Sequence, residues 1–92
     1  MGAGEVFRAL ADPTRRAILD ELVARDDQTL FEICTRLATH HGLTPTRQAV
    51  SQHLDVLEGA GLVRTRRDGR SKIHTLDRSP LRGLLDRWLE GD

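Results

Sequence analysis

Residues 43–63 read LTPTRQAVSQHLDVLEGAGLV, and this stretch decides the fold. Thr44-Pro45 predicts a turn, and Thr46 begins the helix that follows it. Apolar residues then recur at helical spacing, which predicts one buried face and one polar outer face. Gly59 and Gly61 predict the end of this helix, and the apolar pair after them predicts the start of a strand.

A basic hairpin follows the helix. Two strands are predicted at residues 62–66 and 72–76, joined by a tip that contains Asp68-Gly69, a strong signal for a tight turn. An amphipathic helix followed by an Arg-rich hairpin is typical of a winged helix-turn-helix, whose wing contacts DNA phosphates or the minor groove. Charges on a hairpin also protect a sheet edge from aggregation, which is the alternative interpretation. The predicted wing cations are Arg64, Arg66, Arg67, Arg70 and Lys72.

The remaining sequence predicts a mainly α fold with one small β-hairpin, in the order α-α-α-α-β-β-α. Ninety-two residues are enough for one core, so a single domain is predicted over residues 1–92. Asp12-Pro13 has the pattern of an N-cap followed by the first helical residue. The predicted helices cover residues 5–10, residues 14–25, a third that Thr29 caps and Gly42 ends, a fourth from Thr46, and a last one opened by Ser79-Pro80.

The formal net charge is zero, but the charges are segregated along the chain. Residues 44–74 contain six cations and three acids, a net charge of +3, whereas residues 1–43 contain five cations and seven acids, a net charge of −2. Positive charge therefore coincides with the predicted helix and hairpin, as a phosphate-binding surface requires.

The fourth helix carries the candidate base-reading residues. Its first turns would enter the major groove, where Arg47 can pair with guanine and Gln48 or Gln52 with adenine. Asp55 lies two turns further on the same face and would repel phosphate, which limits the predicted contacts to residues 46–52. His53 falls on the apolar side and is predicted to be packed and hydrogen-bonded. An ordinary solvated helix face is the alternative. The candidate contacts are Thr46, Arg47, Gln48, Ser51 and Gln52.

Three stretches together resemble the ArsR/SmtB family of bacterial regulators. They are ALADPTRRAIL at residues 9–19, QAVSQHL at residues 48–54 and LEGAGLV at residues 57–63. The resemblance covers nearly the whole chain. It implies a homodimer, paired through its first and last helices, that represses transcription from a near-palindromic DNA operator.

The terminal apolar residues independently favour a homodimer. They form more apolar surface than a small domain comfortably covers, and a second subunit would remove that surface from water. The alternative is that both terminal helices only close their own domain. The candidate interface residues are Val6, Phe7, Leu10, Leu81, Leu84, Leu85 and Trp88.

The chain departs from metal-binding members of the family. Cys34 is the only cysteine and lies in an apolar stripe, about 9 Å along a helix axis from His40, too far for one ion with bonds of ~2.0–2.3 Å. We therefore predict no metal and no cofactor, a core role for Cys34 with redox sensing as the alternative, and membership of the non-metal branch, whose small-molecule effectors vary. The connection over residues 38–45 is longer than a tight turn, so either the third helix extends or the loop bulges toward DNA.

Other classes of function have little support. The sequence lacks paired carboxylates, a nucleophile with a base, and a glycine-rich phosphate loop, so an enzyme is not expected. It also lacks a long apolar run or a signal-peptide pattern, so we expect a cytoplasmic protein without a membrane partner. The expected partner is double-stranded DNA. A winged helix whose arginines dock an acidic protein, and a metal- or thiol-responsive repressor, are the alternatives.

Overall fold

The computed structural model describes residues 3–89. Its order of five helices and one two-stranded antiparallel sheet confirms the predicted winged helix-turn-helix. Within residues 3–89, none of the helices combines the length and the apolar character needed to cross a membrane. The elements are α1 (Ala3–Leu10), α2 (Pro13–Ala24), α3 (Leu30–His41), α4 (Arg47–Gly59), β1 (Val63–Asp68), β2 (Ser71–Leu76) and α5 (Ser79–Leu89).

The helix boundaries follow from local capping. The Asp12 side chain accepts a hydrogen bond from the backbone N–H of Arg15 at 3.0 Å, so α2 starts where the sequence predicted. Thr29 and Glu32 form a complete capping box at the start of α3. Gly42 ends α3 in a left-handed conformation with φ 63°. Because α3 continues to residue 41, the long connection is explained by a longer helix and a loop of residues 42–46.

The core lies between α2, α3 and α4. Each contributes fully buried aliphatic side chains, among them Ile18, Ile33 and Leu57. In α4 the buried residues Val50, Leu54 and Leu57 form the apolar face that the sequence predicted. Val23, near the end of α2, is apolar but lies outside this core, with 59% of its side chain exposed.

The hairpin is longer than predicted. Arg67 pairs with Lys72 and Asp68 with Ser71, so both strands reach the turn and Arg67-Asp68 belongs to β1 rather than to the tip. The two-residue loop is Gly69-Arg70, with positive φ at Gly69 (61°). Positive φ at the first central position alone is the pattern of a type II′ turn, in which glycine is favoured there.

Candidate nucleic-acid interface

The exposed face of α4 carries all five predicted base-reading residues: Thr46, Arg47, Gln48, Ser51 and Gln52. Val50, Leu54 and Leu57 are buried on the opposite side and fix the rotation of the helix on the core. The hydroxyl of Thr46 accepts the backbone N–H of Ala49 at 3.0 Å, so this residue caps the helix in addition to lying on its exposed face.

Arg15 fixes the back of α4 against the first two helices. Its guanidinium donates to the carbonyl oxygens of Arg8 and Ala9, each at 2.9 Å, and lies 3.3 Å from Nδ1 of His53. The predicted packed and hydrogen-bonded role of His53 is therefore confirmed. This contact anchors the reading helix to α1 and α2.

The wing cations divide into two groups. Arg64 donates to Asp77 at 2.7 Å, and Arg66 donates to Asp27 at 3.1 Å, so both guanidinium groups have a carboxylate partner on the chain. Asp77 also accepts two hydrogen bonds from Ser79; these bonds and the Arg64 guanidinium lower the pKa of its carboxyl to about 2. Among residues 3–89, the remaining three wing cations have no ion pair: Arg67, Arg70 and Lys72.

We call the three unpaired cations the free wing cations, and two of them lie on the hairpin face that is turned toward α4. Arg67 and Lys72 are cross-strand partners, and by alternation they share a hairpin face with Thr65. The Thr65 hydroxyl donates to Glu58 of α4 at 2.8 Å, so this face of the hairpin is turned toward the reading helix. Positive charge that is not neutralised within residues 3–89 thus lies beside α4.

The base of the wing is tied to the loop between α2 and α3, a contact that the sequence did not reveal. The backbone of Gln28 pairs with that of His74, and Asp27 accepts from the Thr75 hydroxyl at 2.6 Å. The hydrogen bonds from Thr75 and Arg66 lower the pKa of Asp27. His74 is buried, and its Nδ1 lies 3.0 Å from the Gln28 carbonyl oxygen, so the side chain faces the protein interior. These contacts fix the position of the wing relative to α3.

A buried carboxylate joins α2 to the end of α3. Glu21 is 4% exposed and binds Arg36 at 2.6 Å, His40 at 3.0 Å and His41 at 2.8 Å. Burial alone would raise the pKa of this carboxyl, but the hydrogen bonds from the three cationic or imidazole groups outweigh burial and lower it. The cluster positions the segment that leads into the turn before α4.

Two further side chains lie at the edge of the reading face. The guanidinium carbon of Arg47 lies 5.5 Å from the centre of the Phe31 ring, and Phe31 is 63% exposed. Phe31 is not among the predicted site residues, although its position off the apolar stripe of α3 is a usable signal. Cys34, one turn further along α3, is half-buried, and burial raises the pKa of its thiol despite the nearby charge of Arg47. Within the described chain, no three His, Cys, Asp or Glu residues are arranged to hold a metal ion.

The residues predicted at the dimer interface do not share one environment. Val6 is 3% exposed and packs in the protomer's own core, so including it in a surface between subunits was wrong. Phe7 and Trp88 stack with ring centres 5.8 Å apart, and Trp88 remains 60% exposed. Leu85 is also exposed, whereas Leu10, Leu81 and Leu84 are half-buried against the core. The helix α5 has no fully buried residue over its described length.

Comparison with known proteins identifies relatives that are named transcriptional regulators. A family described as a helix-turn-helix domain matches residues 10–66. The chain is 48% identical to the HTH-type transcriptional regulator YuzN of Bacillus subtilis, over 92% of each chain. It is 32% identical to the transcriptional repressor SdpR of the same species, over 91% of this chain and 84% of SdpR.

Solved structures share the architecture. An ArsR-like transcriptional regulator from Rhodococcus sp. RHA1 superposes with a TM-score of 0.77 at 37% identity, covering 95% of this chain and 72% of that protein. The homodimeric winged helix-turn-helix DNA-binding domain of Mb0332 from Mycobacterium bovis superposes with a TM-score of 0.70 at 26% identity, covering 95% of this chain and 77% of that domain.

Proposed function

The chain belongs to the ArsR/SmtB family of winged helix-turn-helix transcriptional regulators, and from this premise we propose that it is a homodimeric repressor that reads a near-palindromic operator. Its relative SdpR is named a repressor, which supports the direction of regulation. We place its action in the cytoplasm, where its DNA target is found.

One observation carries the proposal. The exposed polar face of α4 lies beside free wing cations, which have no carboxylate partner among the described residues. In our proposal Arg47, Gln48 and Gln52 read base edges in the major groove, because their side chains offer the donor and acceptor pairs that guanine and adenine require. The free wing cations Arg67 and Arg70 bind phosphates and add affinity without sequence preference.

The second subunit is proposed to pack on the exposed apolar side of α1 and α5. Phe7, Leu85 and Trp88 leave apolar surface in water that a two-fold partner would cover. One solved relative is described as homodimeric, which supports a dimer in general but carries no information on its interface. Two reading helices related by a two-fold axis would contact half-sites about one helical turn apart.

We assign the chain to the non-metal branch of the family. Cys34 is partly buried, and burial favours its neutral thiol rather than the thiolate that binds metals or reacts with oxidants. Glu21 and its two histidines are already joined by the Arg36 guanidinium, whose charge disfavours a cation at that position. A signal other than a resident metal would then release the protein from DNA.

The experiment is selection of bound duplexes from a random DNA library, carried out with the unmodified protein and with Arg47→Ala and Gln48→Ala. Each variant should relax the preference at a particular base pair in both half-sites, because one bidentate contact is worth ~1–3 kcal/mol against the wrong base. Arg82→Ala, which removes an exposed arginine of α5, is the matched control and should leave the motif unchanged. Identical motifs for all four proteins would contradict the assignment of α4 as the reader.

A further inference from the structure

Phe31 is a large apolar side chain with no role in the protomer's core. It is the second residue of α3 and is 63% exposed, while the buried stripe of that helix runs through Ile33 and Leu37. The ring contacts the guanidinium of Arg47 at 5.5 Å from its centre. An arginine over an aromatic face at this distance is attracted by the ring quadrupole.

The partner of Arg47 differs in kind from the partners of the paired wing arginines. Asp77 and Asp27 neutralise Arg64 and Arg66, which reduces their attraction for phosphate or for base acceptors. Among the described residues, Arg47 has no carboxylate within ion-pair distance. A neutral ring therefore restricts this flexible side chain while leaving its full positive charge available.

The charge of Arg47 also affects a neighbouring residue of α3. The positive charge of Arg47 opposes the burial effect on the Cys34 thiol, which lies one helical turn beyond Phe31. Phe31 and Cys34 are three residues apart and so are neighbours along α3, with Phe31 at the exposed edge of the stripe that contains Cys34. The Arg47 side chain is thus held along α3 beside the first turn of α4, at the edge of the proposed reading face.

We propose that Phe31 is a positioning residue for DNA reading, which holds the Arg47 guanidinium ready to contact a base at the start of each half-site. This inference rests on the proposed function. Ordering the side chain before binding reduces the conformational entropy lost when the base contact forms. In this scheme Phe31 does not contact DNA itself. It acts through Arg47.

The test replaces Phe31 and follows both affinity and base preference. Phe31→Ala and Phe31→Leu should each weaken binding to the selected operator by about 2–5-fold per half-site, the usual strength of an exposed cation–π pair. Both should relax the preference at the base pair read by Arg47. Phe31→Trp retains an aromatic face and should restore both properties. Binding to a scrambled duplex should not change, and the thermal unfolding midpoint should fall by only a few degrees, because the ring is exposed and the pair is worth only ~0.5–1 kcal/mol.

A double variant separates positioning from other effects. In the Arg47→Ala background, Phe31→Ala should cause no further loss of operator affinity or base preference. An equal loss in both backgrounds would overturn the inference, as would a Leu variant that behaves like the unmodified protein. If Arg47→Ala changes the selected motif and Phe31→Ala does not, this inference fails while the proposed function stands. If no variant of α4 changes the motif, the proposed function fails with it.

Discussion

Replacing Arg67 with alanine should flatten the salt dependence of DNA binding. Arg67 has no ion pair among the described residues and shares a hairpin face with Thr65, which contacts the reading helix. One phosphate contact contributes about 0.9 to the slope of log affinity against log salt, so a dimer that loses two contacts loses about 1.8. Between about 50 and 200 mM salt, the unmodified protein should therefore lose roughly 12-fold more affinity than the variant.

Fluorescence anisotropy with a labelled operator and a scrambled duplex, across that range of salt, measures both slopes. Arg67→Ala should weaken the two duplexes by similar factors, because phosphate contacts carry no sequence information. Arg64→Ala is the matched control: its guanidinium already binds Asp77, so its removal should change the slope much less. The division of the wing cations would be refuted by an Arg64→Ala slope as flat as that of Arg67→Ala. A changed base preference in Arg67→Ala would equally refute the assignment of the wing as a phosphate clamp.

Three other perturbations test separate parts of the account. Glu21→Gln should lower the free energy of unfolding by about 2 kcal/mol at neutral pH, below the ~3–5 kcal/mol of a fully buried pair because its partners are partly exposed. Folding lowers the pKa of Glu21, so the stabilisation by its carboxylate is present above the usual pKa of 4.5 and is lost as the pH falls below that value. In denaturant titrations, the free energies of unfolding of the variant and of the unmodified protein should therefore converge in acid. Trp88→Asp should sediment as a monomer and bind the operator poorly; an unchanged mass would remove α5 from the interface. Cys34→Ala should bind the operator normally, and neither chelator nor oxidant should alter the affinity of the unmodified protein; a chelator effect would restore the metal-responsive alternative.

Local signals predicted the elements well because capping and periodicity depend on neighbouring residues. The Asp12 cap, the Thr29 capping box and the left-handed Gly42 set helix ends close to the predicted positions. The strands were predicted too short, since Arg67-Asp68 looks like turn sequence and only pairing across the hairpin makes it strand.

The features that sequence analysis missed depend on contacts between distant residues. Arg66 and Asp27 are 39 positions apart, so nothing local distinguishes this paired arginine from the unpaired Arg67. Glu21 looks like a surface residue, and its burial depends on Arg36 and the two histidines at the end of α3, 15 to 20 positions away. Val6 was assigned to the dimer for the same reason: apolarity does not reveal whether the protomer or its partner covers a side chain.

Selection from a random library at near-physiological salt tests the central claim most directly. We expect a two-fold symmetric consensus with half-sites about one helical turn apart, and weakened preference at one position per half-site for Arg47→Ala. A selection that enriches no motif would contradict it. The exposed arginines would then be better explained as a docking surface for an acidic protein partner than as part of a DNA reader.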